Sequence, residues 1–281
     1  MNTKKQEFED TKKTVEAHGT LSEKEAVEKS KNIEKTTKEL VEKSKEESSK
    51  QDSKANLRKN RERKELEESI ARWEPKTKLG IEVKSGKIKD IDYILEENKK
   101  ILESEIVDYL LKINSDLISI GQSKGKFGGG KRRAWRQTQR KTKEGNVPTF
   151  STMAVIGDEN GHVGIGTGRA KETLPARDKA IRKAKLNIIK INRTCAAFDC
   201  SCKEPHTIPF KINGKAGSVR ITLIPAPQGT GLVVGREIKK ILKLAGIKDV
   251  YSKTQGRQRT SFNLAKACIN ALKKTIGENK K

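Results

Sequence analysis

The hydrophobic positions divide the chain near residue 72. Before that point apolar side chains are sparse (Val15, Leu21, Val27, Ile33, Leu40, Val41, Leu66 and Ile70) in a mixture of Lys, Glu, Ser and Thr. Val27, Ile33 and Leu40 hint at a helical stripe, but no heptad seam is sustained. So few apolar groups cannot offset the entropy of ordering the backbone. Residues 1–72 therefore read as a charged, low-complexity extension, disordered or partly helical.

The composition changes at Trp73. WEPKTKLGIEVKSGKI reads as an irregular or extended lead-in. Ile101, Leu102, Ile106, Tyr109, Leu110 and Ile113 recur at helical spacing and predict a packed helix over Glu103–Lys112. DLISIG (116–121) reads as a short strand, and 121–149 as a long basic loop. TFSTMAVIGDENGHVGIGTGRA then predicts a β-hairpin. Its strand formers are Met153, Val155, Val163 and Ile165, and its turn is Asp158 to Gly161. LPARDKAIRKAKLNIIKI predicts a helix with Pro175 at its first position. Ala176, Ala180, Ile181, Ala184, Ile188 and Ile191 fall on one arc, and Lys179, Arg182, Lys183 and Lys190 on the other. The order helix, strand, strand, strand, helix over 73–193 is that of double-stranded-RNA-binding-type domains.

A cysteine-containing connector, 194–206, leads to a second unit, 207–281. TIPFKINGKAGSVRITLIPAP reads as two strands around Asn213-Gly214. GTGLVVGREIKKILKLAG reads as a helix with Leu232, Val233, Ile238, Ile241, Leu242 and Ala245 inward and Gly246 as its C-terminal cap. IKDVYSK is a strand. TSFNLAKACINALKKTIG is a helix with Leu264, Cys268, Ala271 and Leu272 inward. The predicted class is α+β, in two small domains: an αβββα domain and a C-terminal ββαβα two-layer domain.

Charge changes the picture. Lys and Arg total 62 against 37 Asp and Glu, a net +25. Residues 1–120 are balanced at 27 of each sign, so 121–281 carry 35 basic and 10 acidic side chains. A segment so basic repels itself when compact unless a polyanion neutralises it, which is the electrostatic footprint of nucleic-acid binding. No apolar run is long enough to cross a bilayer, and MNTKKQEFEDTKK lacks the apolar core of a secretory signal. Four cysteines in 281 residues make no disulfide framework. These features lead us to expect a cytoplasmic protein.

The stretch GKFGGGK (125–131) has the spacing that opens a phosphate-binding P-loop, but the next residue is Arg132 where a magnesium-holding hydroxyl is needed. The continuation RRAWRQTQRK has no apolar face, and no plausible strand ending in the second acidic motif comes after it, so a nucleotide hydrolase explains little of it. A backbone-binding loop explains more. Lys124 to Lys143 hold nine Lys or Arg and no acid. Glycine lets N–H groups approach phosphate, Arg forks fit it bidentately, and Trp135 can stack on a base or sugar. Gly164-Ile-Gly166-Thr-Gly168 resembles a dinucleotide fingerprint but lacks its spacing and ribose-binding acid; glycines under a close backbone are the better account. Gly229-Thr-Gly231 fits either a phosphate-holding helix start or a tight strand-to-helix turn.

Cys195, Cys200, Cys202 and His206 form C-x4-C-x-C-x3-H, enough for one tetrahedral zinc site, although the single residue between Cys200 and Cys202 makes a strained chelate. Reduced thiols in a connector are the other reading, and no metal or cofactor is assigned. Cys268 lies on an apolar helix face and belongs to the core. Of the histidines at 18, 162 and 206, His18 and His162 have no evident nucleophile beside them; acids in the basic half are few and scattered, so no catalytic constellation appears and the chain reads as non-enzymatic.

Long stretches resemble a known family. They are AVIGDENGHVGIGTGRAKE, AIRKAKLNIIKI, PHTIPFKINGKAGSVRITLIPAPQGTGLVVG, ILKLAGIKDVYSKTQGRQRT and NLAKACINALKKT, with EPKTKLG and ESEIVDYLL upstream. Together they are similar to the universal fifth protein of the small ribosomal subunit, the S-five family, in its archaeal form. The resemblance implies a double-stranded-RNA-binding-like first domain and a left-handed βαβ crossover in the second, an exception to the usual hand. It also implies binding to small-subunit rRNA near where mRNA enters, contact with neighbouring proteins of the S-four and S-eight families, and a role in assembly and decoding accuracy. The residues expected to meet RNA are Lys124, Lys126, Lys131, Arg132, Arg133, Trp135, Arg136, Arg140, Lys141, Lys143, Arg169, Lys171, Arg182 and Lys183. Three features depart from the family: the extension, the length of the 121–149 loop, and Arg193-Thr-Cys195-Ala-Ala, which stands where a glycine-bearing segment is common. A free-standing regulator of structured RNA is the alternative reading.

Overall fold

The computed structural model describes Glu68, residues 70–123, 132–196, 200–202 and 204–280, the last four of these by backbone alone. The expectation for the extension therefore lies almost wholly outside the described residues. No helix among them is long and apolar enough to cross a membrane.

The first half opens with three short helices, α1 (Lys78–Lys84), α2 (Ile91–Glu96) and α3 (Glu105–Leu110). The lead-in expected to be irregular thus holds a helix, started by Thr77, whose hydroxyl accepts the Gly80 N–H. Glu103 stands outside α3 and does a different job. Its carboxylate accepts the indole N–H of Trp73 at 2.9 Å and the N–H groups of Lys76 and Thr77 at 2.9 and 2.7 Å. The α3 stripe is also rotated from the expected one: Ile106 and Val107 are buried, whereas Leu102 and Tyr109 are 67% and 49% exposed. Trp73, Val83, Ile91, Ile94, Ile101, Ile106, Val107 and Ile188 form a small core of their own.

Four strands come next: β1 (Asn114–Leu117), β2 (Trp135–Thr142), β3 (Gly145–Gly157) and β4 (His162–Ala170). Helix α4 (Thr173–Leu186) and β5 (Ile188–Lys190) complete the half. β3 is the spine. β1 pairs antiparallel with its end, β2 antiparallel with its beginning, and β4 runs along its other side with β5 beyond. β2 corrects the reading of 121–149 as a loop. Its hairpin with β3 turns at Lys143-Glu144 and projects past the core. It has no buried face, so it lacks the apolar alternation that marks a half-buried strand. Helix α4 also starts earlier and ends sooner than expected. Pro175 is its third residue, and the β-branched pair Ile188-Ile189 leaves the helix for β5.

The glycines of β4 lie beneath α4. Any Cβ on Gly164, Gly166 or Gly168 would fall on backbone atoms of Ala184, Ala180 and Ala176, the buried stripe of that helix. Alternate glycines on the strand and alanines every fourth residue on the helix let the two backbones nearly touch. Thr152 on β3 faces the same way and donates its hydroxyl to Ala176 O at 2.8 Å. The residues between (Met153, Val155 and Val163) face the opposite side and are fully buried there. Each such side chain stabilises by about 1.5–3 kcal/mol relative to exposure.

What buries them is the second half. Its sheet has the order β6 (Ile212–Ala216), β7 (Val219–Pro225), β9 (Val250–Gln255), β8 (Leu232–Val233), antiparallel except for the parallel β8–β9 pair. Helix α5 (Arg236–Leu244) joins that parallel pair, and α6 (Ser261–Leu272) lies on β6 and β7. One core cluster runs from Ile118, Met153, Val155 and Val163 to Ile241, Leu242, Leu244 and Cys268, so the two α+β layers share it. Glu237 and Lys240 of α5 hold the backbone at Ser119 and Leu117, at 2.8 and 2.7 Å.

Two local expectations change here. The β6–β7 turn is at Gly217, with φ +59°, not at Asn213-Gly214. Gly214 sits mid-strand because α6 passes over it, where a Cβ would fall on Ala267 O. Leu232 and Val233 belong to β8 rather than to the helix, and Val233 is 50% exposed. Gly246 caps the end of α5 in the left-handed region, φ +76°, as that position demands.

Candidate nucleic-acid interface

The first layer of the site is one short stem. Ser123 and Arg132 form an antiparallel bridge, the Gly121 N–H donates to Arg133 O at 2.9 Å, and the Arg133 N–H donates to Gln122 O at 3.4 Å. These hydrogen bonds hold the two ends of 124–131 together at the mouth of β2. Lys124, Lys126 and Lys131 lie outside the described residues. The flanks nonetheless bear on the P-loop reading. Arg132 leads into a strand, so no helix N-terminus is aimed back at the glycine-rich stretch, and an NTP-binding loop needs one.

Beyond the stem, β2 raises its side chains out of the body. Arg132, Arg133, Arg136, Arg140, Lys141 and Lys143 are all exposed, and Trp135 is 36% exposed. An open groove runs between residues 120–123 and 132–139 and is closed on one side by Arg259. Arg259 is not among the residues expected from sequence. It lies far downstream, just before α6, and joins the groove because Arg132 Nη1 reaches Ser261 Oγ at 3.5 Å. Its only sequence signal is its place in the basic stretch GRQRT.

The other expected residues fall elsewhere. Arg169 lies near the end of β4, Lys171 just past it, and Arg182 and Lys183 stand on the outer face of α4. Arg169 pairs in register with Ser151, which in turn pairs with Arg136, so one row across β4, β3 and β2 carries both arginines.

Pairing separates two kinds of cation. Lys185 meets Asp108 at 2.6 Å, Lys190 meets Asp92 and Glu96 at 2.7 and 3.2 Å, and Lys240 meets Asp116 at 3.1 Å. Lys185 joins α4 to α3, and the pairs of Lys190 and Lys240 join helices to sheet. Among the described residues, none of Arg132, Arg133, Arg136, Arg140, Lys141, Lys143, Arg169, Lys171, Arg182 and Lys183 forms an ion pair with a carboxylate. Planar guanidinium forks without carboxylate partners among the described residues, beside a half-exposed indole, can neutralise phosphates and stack on a base.

Two remaining clusters are not part of this surface. His162 sits between Asp158 and Asp92, with Nδ1–Oδ2 2.6 Å and Nε2–Oδ1 2.7 Å. Burial works against its charge, yet the two carboxylates prevail and raise its pKa above the ordinary value. The connector brings Cys195, Cys200, Cys202 and His206 together, with all four ligand atoms within 4.8 Å of one another. The N–H groups of Cys202 and Gln228 lower the Cys200 thiol to about 6, and its hydrogen bond to Cys200 pushes Cys195 up to about 11. Cys268 is core, as expected, its thiol pushed up to about 12 by burial. The Gly231 N–H is taken by Asp249 Oδ1 at 2.7 Å, and α5 begins only at Arg236, so the 229–231 turn is not a phosphate-holding helix start.

Comparison with known proteins identifies the family. Residues 134–192 match the family model for ribosomal protein S5, N-terminal domain, and 214–277 match that for the C-terminal domain. The small ribosomal subunit protein uS5 of Nanoarchaeum equitans is 48% identical over 207 residues, covering 73% of this chain and 89% of that one. Those of Hyperthermus butylicus and Methanocaldococcus jannaschii are 45% and 46% identical over 205 and 206 residues, covering 72% and 73% of this chain and 89% and 88% of theirs. With both halves matched, in order, and nearly the full length of these relatives covered, the chain belongs to the uS5 family of small-subunit ribosomal proteins.

Proposed function

We propose that the chain is a structural, non-catalytic constituent of the small ribosomal subunit, bound in the cytoplasm to its rRNA through the β2 hairpin and the outer face of α4. The observation that carries the RNA-binding surface is the segregation of cations. Paired lysines hold the body together, and unpaired arginines project from a strand that contributes nothing to the core. A strand without a buried face has no evident stabilising role in the free protein; as a support for phosphate-binding side chains it has one. The Ser123–Arg132 stem would present 124–131 to the same RNA.

The family suggests the finer points. The chain would lie near where mRNA enters the subunit, beside proteins of the S-four and S-eight families, and would contribute to assembly and decoding accuracy. Density-gradient sedimentation of a cell extract tests the placement. The chain should co-migrate with small subunits and leave them only at high salt; finding it solely in the soluble fractions would overturn the ribosomal reading in favour of a free regulator of structured RNA. The non-catalytic reading predicts no ATP turnover that Lys131→Ala abolishes.

A further inference from the structure

The connector between the two halves is short, from Cys195 to His206, yet it is anchored like a core element. Thr194 and Thr207 close it with reciprocal N–H···O bonds, both 3.0 Å. The His206 carbonyl accepts N–H groups from Lys248 and Asp249 at 2.8 and 3.2 Å, and the Thr207 hydroxyl donates to Asp249 O at 2.6 Å. Into this frame the chain folds three sulfurs and an imidazole. Cys200 Sγ lies 3.2 Å from Cys202 Sγ and 3.5 Å from His206 Nε2, and Cys202 Sγ lies 3.5 Å from Cys195 Sγ. Donors around a tetrahedral zinc ion, at its usual bond lengths to sulfur and nitrogen, stand roughly 3.5–3.8 Å apart. The cluster is already close to that size. A disulfide would need its sulfurs at about 2.0 Å, and all three thiols are free.

His206 supplies a second, independent observation. It is 1% exposed, its Nε2 is turned to the sulfurs, and its Nδ1 forms no hydrogen bond. Nδ1 does stand 2.9 Å from Asp249 Oδ2, a carboxylate that is itself buried and fixed through its other oxygen by the Gly231 N–H. A buried imidazole with one nitrogen toward thiolates and the other toward a held carboxylate is the arrangement that orients a metal-ligating histidine. Burying an imidazole nitrogen without a hydrogen bond is costly, and a metal on the other nitrogen would offset that cost.

We propose that Cys195, Cys200, Cys202 and His206 bind one structural Zn²⁺, with Asp249 orienting His206. Binding replaces three thiol protons by one divalent cation, leaving the Cys₃His centre with a formal charge of −1. The four ligands close the coordination sphere, so no position is left for a reacting water. The ion ties the connector to the β8–β9 end of the second sheet through His206 and Asp249.

The test uses the full chain carrying no affinity histidines, purified under reducing conditions. Elemental analysis should find one zinc per chain, released as a mercurial titrates the thiols. Cobalt(II) in its place should show thiolate-to-metal charge-transfer absorption and strong tetrahedral ligand-field bands. Cys268→Ser should keep the metal, Cys200→Ser with Cys202→Ser should lose it, and Asp249→Asn should weaken binding by roughly 10–100-fold. Substoichiometric zinc in the folded wild-type chain, a cobalt spectrum without thiolate bands, or retention by the double variant would each overturn the proposal. Where the double variant fails to fold, the wild-type cobalt spectrum decides.

Discussion

Gly166 shows how much a single methyl group can matter in this fold. Its Cβ would land on Ala180 O and Ala184 N, both backbone atoms that cannot turn aside. Gly166→Ala must therefore push α4 off the sheet and pull Thr152 away from Ala176. Overpacking of this kind costs about 1–3 kcal/mol, which should lower the thermal midpoint by several degrees. Gly86→Ala is the comparison, since Gly86 has open space around it and only the left-handed φ of +77° to strain; that substitution should cost about 1–2 kcal/mol. Calorimetry of the two variants measures both, and an unchanged midpoint for Gly166→Ala would mean the helix does not lie where it is placed. At this scale the sequence is partly legible. The G-x-G-x-G run announces a close backbone, and the alanine spacing names the helix that supplies it. Gly214 reads as a turn residue and is not one, because a strand glycine under a helix and a hairpin glycine look alike without the partner in view.

At the scale of elements, α2 is held to β4 and β5 by charge as well as by Ile91 and Ile94. Asp92 reaches His162 and Lys190, Glu96 reaches Lys190, and Asp158 closes the other side of the imidazole. The His162 pKa is raised in the fold and those of Asp92 and Asp158 are lowered. A raised histidine value contributes stability that is fully present below its unfolded value of about 6.5. That contribution is lost as pH rises through the folded value. The lowered carboxylates contribute above about 3.9 and lose it as pH falls through their folded values. The cluster is thus strongest in mildly acidic solution. His162→Asn should cost about 1–3 kcal/mol there, and the gap to wild type should narrow above neutrality. Denaturant melts across that pH range check this; a gap constant with pH would place the stabilisation in packing alone. Neither the cluster nor its partners are legible in the sequence, since Asp92 and His162 lie far apart along the chain.

The β2 hairpin is the other element whose role is electrostatic, and it is legible in chemistry but not in shape. Its arginines stand out in the sequence, and its strand does not. Arg136→Gln with Arg140→Gln removes two exposed cations that have no carboxylate partner among the described residues, so the melting temperature should hold or rise slightly as repulsion is relieved. Affinity for a small-subunit rRNA fragment should fall, and the slope of log K against log salt should shrink by about 1 for each phosphate no longer neutralised. An unchanged slope would mean that β2 does not meet the RNA.

For the molecule as a whole, charge sets two salt dependences of opposite sign. Residues 121–281 carry 35 basic and 10 acidic side chains, while Lys185, Lys190 and Lys240 of that half are engaged by acids of the first. In the free protein the remaining cations repel across the shared core, and ions that screen them relieve that repulsion. The thermal midpoint of the free chain should rise as salt is added. Binding to rRNA depends on the same cations releasing counterions from phosphate, so affinity should drop between about 0.05 and 0.2 M salt by roughly 10³–10⁵ if about six to ten phosphates are neutralised. Ion pairs such as Lys185–Asp108 are partly buried and screened little, so they do not reverse the first trend. Melting curves and binding isotherms over one salt series measure both. A midpoint that falls with salt would show that internal pairs outweigh repulsion, and an affinity indifferent to salt would show that shape rather than charge holds the RNA. If both trends hold, rRNA stabilises this chain chiefly by removing its self-repulsion, and a saturating rRNA fragment should raise the midpoint most at the lowest salt.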